Sequence, residues 1–122
     1  MNDILIEPTK KTPYVEFNTS GKLILAGNLQ AENAIEFFEP LIDWVKKISV
    51  HKIDFDLILE YINTACAKKL FELIKKLKAN TAVKEITINW YYKKEDIDHL
   101  ETGQIFAEAI GNVKFNFVVY EN

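Results

Sequence analysis

Residues 52–79 read KIDFDLILEYINTACAKKLFELIKKLKA, and the hydrophobic period changes half-way along this stretch. From Lys52 to Tyr61, the residues Ile53, Phe55, Leu57, Leu59 and Tyr61 alternate with Lys52, Asp54, Asp56 and Glu60. A period of two predicts a strand with one strongly apolar face. From Thr64 to Ala79, Cys66, Leu70, Leu73, Ile74 and Leu77 form a helical stripe, with Lys68, Lys69, Glu72, Lys75, Lys76 and Lys78 around the rest. The cationic last turns suit the negative end of a helix dipole. A strand that runs straight into an amphipathic helix predicts a β-α unit, and the flanking sequence extends the pattern.

Downstream, Lys84 to Tyr92 alternates again, with Ile86, Ile88 and Trp90 on one face. Glu95, Asp96 and Asp98 then open a third helix through Leu100, Gly103, Ala107 and Ile110, stopped by Gly111. Phe115, Phe117 and Val119 predict a closing strand. Upstream, Asn33 to Ile48 puts Phe38, Leu41, Ile42, Val45 and Ile48 on one helical face, with Pro40 inside the span. Proline cannot donate its amide to the carbonyl four residues back, which predicts a kink or two abutting helices split just before it. Tyr14 to Phe17 and Lys22 to Ala26 flank Asn18-Thr19-Ser20-Gly21 and read as a hairpin, and Ile4-Leu5-Ile6 reads as an edge strand ending before Pro8. Two successive β-to-α-to-β passages predict parallel pairing with right-handed crossovers. The expected fold is a single α/β domain over residues 1–122, a mixed sheet with an N-terminal antiparallel hairpin, parallel βαβ units and about three helices.

Composition narrows the possible functions. A chain of 122 residues, 48% apolar and 27% charged, is long enough to bury a core without metal or disulfide support. The single Cys66 excludes an internal disulfide framework and a four-cysteine zinc site. Eighteen acids against fifteen Lys and Arg argue against nucleic-acid binding, which needs a clustered basic excess. No apolar run is long enough to span a bilayer and no leader pattern follows Met1, so the expectation is a cytoplasmic protein without membrane insertion.

Catalytic and cofactor templates are missing from the residue pattern. His51 and His99 have no paired ligand spacing, and each is expected in a solvated or hydrogen-bonded role. Gly21 and Gly27 make no phosphate loop, and Cys66 falls on the apolar stripe as a core residue. Glu95, Asp96, Asp98 and Glu101 suit the positive end of a helix better than a hard cation. Trp90-Tyr91-Tyr92 could line a small-molecule pocket, but a strand with alternate rings packed inward and outward accounts for it more simply. The expectation is a non-enzyme without cofactor or metal.

There remains the corner Asn63-Thr64, where the strand becomes the helix. Asn and Thr both cap helix N-termini, and either can satisfy an amide that has no intrahelical partner. A hydroxyl here also has a second use. Its phosphate would sit beside free amides at the positive end of the dipole, so modification could change the surface without melting the fold.

Several stretches carry a resemblance that spans nearly the whole chain: Thr12-Pro13, Glu32-Asn33-Ala34, Phe38, Pro40-Leu41, Trp44, Leu59-Glu60-Tyr61-Ile62-Asn63-Thr64, Lys68, Asn89-Trp90-Tyr91-Tyr92, Glu101 and Gly103. In this order and spacing the chain resembles the SiaC-type family of small bacterial regulatory phosphoproteins, whose fold is similar to the STAS domains of anti-sigma-factor antagonists. The resemblance implies partner switching: a cognate kinase phosphorylates a threonine at the helix start, a phosphatase reverses it, and one form engages a downstream target, in one branch a diguanylate cyclase controlling biofilm behaviour. That threonine maps onto Thr64, and Tyr61, Asn63, Ala65 and Lys68 around it are the expected partner contact. Thr64-Ala65-Cys66 stands where the family pattern commonly continues Thr-Ser-Ser, which leaves Thr64 the one hydroxyl at the helix start. The alternative is a constitutive protein-interaction module of the same fold, with Thr64 only a helix cap.

Overall fold

The change of period at Asn63 is a true boundary between elements. In the computed structural model, which describes residues 1–121, strand β4 (Lys52–Ile62) ends one residue before Asn63 and helix α2 (Thr64–Ala79) begins one residue after it. The remaining elements are β1 (Ile4–Ile6), β2 (Tyr14–Phe17), β3 (Lys22–Leu29), α1 (Ala34–Lys47), β5 (Glu85–Lys93), α3 (Ile97–Ile110) and β6 (Lys114–Tyr120). All strands join one sheet in the order β1-β2-β3-β4-β5-β6. The first three pair antiparallel and β3 to β6 pair parallel. The α/β mixed sheet with an N-terminal hairpin is thus observed, with one more parallel crossover than the two expected. β3 is a hairpin strand that also starts the first crossover.

Each crossover advances one strand in the same direction, so right-handed connections place α1, α2 and α3 on one face. The inward residues of β3 to β5 are buried beneath them: Leu23, Leu25, Leu29, Ile53, Phe55, Leu57, Leu59, Ile88 and Trp90. The helices contribute Phe38, Leu41, Val45, Cys66, Leu70, Leu73, Ile74, Leu77 and Phe106 to the same core.

Three expectations are corrected. Helix α1 runs unbroken through Pro40 rather than splitting before it. Pro40 and Glu36 are both exposed, so water can take up the Glu36 carbonyl that Pro40 cannot serve, while Phe38, Leu41 and Val45 hold the helix to the sheet. β3 continues past Ala26 to Leu29, because Gly27 adopts φ +123° and the register with β4 shifts between Gly27 and Asn28. Tyr61 does not join the apolar face. It is 62% exposed, because the bulge against β3 puts an extra residue, Glu60, into β4 after Leu59, so that Tyr61 turns to the opposite face while Ile62, paired with the buried Leu29, takes the inward position.

The opposite sheet face carries a polar ladder instead of helices. Lys22 Nζ donates to Asp54 Oδ2 and Asp56 Oδ2, both at 3.0 Å. Asn89 Nδ2 donates to Asp54 Oδ1 at 2.9 Å and Asp56 Oδ1 at 2.8 Å, and Asn116 Nδ2 donates to Asn89 Oδ1 at 3.0 Å. Four strands are linked through side chains on the side that faces solvent.

Candidate functional site

Asn63 is the anchor of the β4-α2 corner. Its N–H donates to the Leu29 carbonyl at 3.1 Å, and its own carbonyl accepts from the Ala67 amide at 2.9 Å. Its side-chain Oδ1 accepts from the Cys66 amide at 2.8 Å. The extended backbone at φ −84° and ψ 166° is that of an N-cap. Of the two candidate caps it is therefore Asn63, and the reading of Thr64 as the cap is corrected. Thr64 is the first helical residue, where its side chain is not needed to close the helix.

Freed from that duty, Thr64 is exposed, and its hydroxyl has no hydrogen-bond partner among the described residues. Ala65 beside it is exposed too, and Lys68, one turn further along, is exposed and outside every ion pair among the described residues. Positions four apart share a helix side, so Thr64 and Lys68 lie on one strip of surface. The first turn of α2 holds no acidic residue, whereas α1 has Glu36 and α3 has Asp98. The positive end of the α2 dipole is left uncompensated. Cys66 lies underneath: it is buried, its Sγ is 4.0 Å from the Ala31 carbonyl, and burial pushes its thiol up, which makes it a poor nucleophile.

One neighbouring residue escaped the sequence reading. Ile35, in the first turn of α1, is 62% exposed. Helices α1 and α2 both follow parallel strands and so begin at the same end of the sheet, which puts Ile35 and Tyr61 on the rim that carries Thr64. Only the parallel pairing of β3 with β4 reveals this, and no local motif marks it.

The remaining candidates have structural roles. His51 is exposed at the mouth of β4, as expected. His99 takes the hydrogen-bonded rather than the solvated role: it is buried with its ring stacked on Trp90 and bonded to the Tyr91 backbone, while its Nε2 has no partner among the described residues. Burial holds its imidazole below the usual histidine value, against the opposing pull of Asp96. Asp96 caps α3 by accepting from the His99 amide at 3.0 Å, and Glu95 and Glu101 are exposed. Among the described residues no group of three or more His, Cys, Asp or Glu side chains could hold a metal ion. Trp90 is fully buried, with Tyr91 and Tyr92 half-buried beyond it, so the indole is not open to a ligand.

The family model described as "SiaC family regulatory phosphoprotein" matches residues 6–120. The chain belongs to the SiaC family. Among its relatives is an uncharacterized protein of Pseudomonas aeruginosa (strain UCBPP-PA14), 27% identical over 113 residues, which cover 88% of this chain and 90% of the relative. The crystal structure of apo-SiaC from Pseudomonas aeruginosa is similar with a TM-score of 0.77 and 25% identity, covering 98% of both chains. The crystal structure of the diguanylate cyclase SiaD in complex with its activator SiaC, from the same organism, contains a chain with a TM-score of 0.81 and 26% identity, covering 98% of this chain and all of that one. Among the described residues no helix is long and apolar enough to cross a membrane.

Proposed function

We propose that this SiaC-family chain is a non-catalytic, cytoplasmic regulatory phosphoprotein whose choice of partner depends on the phosphorylation of Thr64. A cognate kinase adds the phosphate, a phosphatase removes it, and one form binds a downstream effector. The observation that carries this reading is the exposed Thr64 hydroxyl, free of any duty to the fold because Asn63 caps the helix. A diguanylate cyclase is the favoured effector, since the SiaC of Pseudomonas aeruginosa is described as the activator of one.

The switch works without a conformational change. Unmodified, the rim formed by Ile35, Tyr61, Thr64, Ala65 and Lys68 offers a partner apolar surface and a neutral hydroxyl. A phosphate on Thr64 adds a charge of about −1.5 to −2 at pH 7. Burying that charge unpaired in an interface costs several kcal/mol, enough to change affinity by orders of magnitude. A partner that supplies an Arg cluster would show the reverse preference. The test is incubation with the cognate kinase and ATP, followed by intact-mass spectrometry. One phosphate is expected on the wild type and none on Thr64→Ala. A phosphate retained by Thr64→Ala, or an unmodified wild type, overturns the reading.

A further inference from the structure

The two edges of the sheet are guarded very differently. β1 is three residues long and is followed at once by Pro8, Lys10 and Lys11, the short strand, proline and charge that discourage strand addition. β6 has one of these devices alone, Lys114 at its first position. It runs seven residues, KFNFVVY, with one charged side chain, no proline and no register shift against β5. Among the described residues nothing pairs with its outer edge, and its outward backbone groups find no partner in a turn or loop. Its apolar content is also incompletely covered: Val119 is 50% exposed, and Phe115 and Phe117 are only half-buried under α3.

We infer that β6 is a self-association edge and that its occupant is β6 of a second copy of this chain, paired antiparallel about a two-fold axis at Phe117. The sequence of the strand is what selects a second copy. A two-fold centred on Phe117 sets Phe115 against Val119 of the other copy, apolar against apolar on the helix side, and Phe117 against itself. On the opposite face Lys114 falls beside Tyr120, where an aromatic ring accepts a cation, and not beside another lysine. Asn116 falls beside Val118. Such cross-strand pairs are the units that stabilise a sheet. The axis lies perpendicular to the sheet, so the helices of both copies stay on one side and the two α3 helices flank the junction. The contact is isologous and closes on itself. The edges left outside are the two guarded β1 strands, so assembly stops at the dimer, as a continuous sheet of both copies. Any docking on the Thr64 rim is a separate event.

The test is sedimentation equilibrium of the full chain from about 1 μM to about 300 μM, with hydrogen exchange measured near both ends of that range. Expected are a mass that rises from monomer to dimer and β6 amides that exchange more slowly at the higher concentration. Val119→Lys, which places a charge against Phe115 of the other copy, is expected to raise the dissociation constant about tenfold or more. A monomer throughout the range overturns the inference, and so does a dimer whose β6 amides gain no protection. A dimer indifferent to Val119→Lys overturns it as well. The exchange measurement on the wild type decides the matter even if the variant folds poorly.

Discussion

Trp90 and His99 are in contact twice: their rings stack with centroids 4.9 Å apart, and Trp90 Nε1 donates to the His99 carbonyl at 3.1 Å. The first contact shuts the imidazole away from water, and the second ties the start of α3 to the centre of β5. Because His99 resists protonation only when folded, the unfolded chain takes up the extra proton. Stability is therefore greatest above the ordinary histidine value near 6.5 and falls as pH drops below it, until pH passes beneath the lowered native value. Urea midpoints of the wild type should decrease from about pH 7.5 to about pH 5, with a shallower decline in His99→Gln. Equal slopes in the two proteins would remove His99 as the source.

Gly103 is where the other side of this stack is decided. A Cβ at that position would lie 2.7 Å from the Trp90 ring atoms Cε2 and Nε1, closer than real Cβ atoms approach. The indole is fully buried and cannot swing aside. Gly103→Ala should therefore destabilise although it improves helix propensity. Overpacking costs about 1–3 kcal/mol and the propensity gain returns about 1, leaving a net loss of up to about 2 kcal/mol by chemical denaturation. A stabilised variant would mean that the α3-β5 packing is looser than described.

Much of this architecture was legible in residues 52–79, because burial on one side only writes its period directly into the chain. The order of elements and the hairpin followed from that period and from turn chemistry. What stayed hidden depends on contacts between distant residues. Pro40 predicts a kink or a split because local rules see its missing amide but not the core packing around Phe38 and Leu41; the split is what that packing overrides. For His99 the pattern leaves a solvated and a hydrogen-bonded role open, because nothing local announces that Gly103 admits Trp90 against α3. At the candidate site the corner was visible, while the division of labour between Asn63 and Thr64 was not. Both residue types cap helices, and only the bond to the Cys66 amide distinguishes them.

In the polar ladder on the open face, Lys22 of β3 bridges two carboxylates of β4, Asp54 and Asp56. Burial alone would lower its ammonium, but the bonds to Asp56 and then Asp54 outweigh this, and its titration is raised. Lys22→Ala leaves Asp54 and Asp56 to repel one another with only Asn89 between them. Since the group is partly exposed, solvent screening keeps the expected loss to about 1 kcal/mol, smaller at high salt. Denaturation at two ionic strengths checks both the size and the salt dependence. Asn89→Asp, which replaces a donor by a third carboxylate, should cost more than Lys22→Ala. The reverse order would show that the ladder is held by Asn89 less than its two short hydrogen bonds imply.

Asn63 and Thr64 should separate cleanly under mutation. Asn63→Ala removes the oxygen that accepts from the Cys66 amide and should cost about 1 kcal/mol of stability. Thr64→Ala removes an exposed hydroxyl without a partner and should stay within about 0.5 kcal/mol of the wild type. Thr64→Asp adds a carboxylate to a first turn that has none, which should be neutral or stabilising by about 0.3–1 kcal/mol. Any change in effector affinity measured by calorimetry for Thr64→Asp then reports on the interface, since the fold is intact. Should Thr64→Ala prove as damaging to stability as Asn63→Ala, the hydroxyl is committed to the helix start, and a switch that needs it free loses its physical basis.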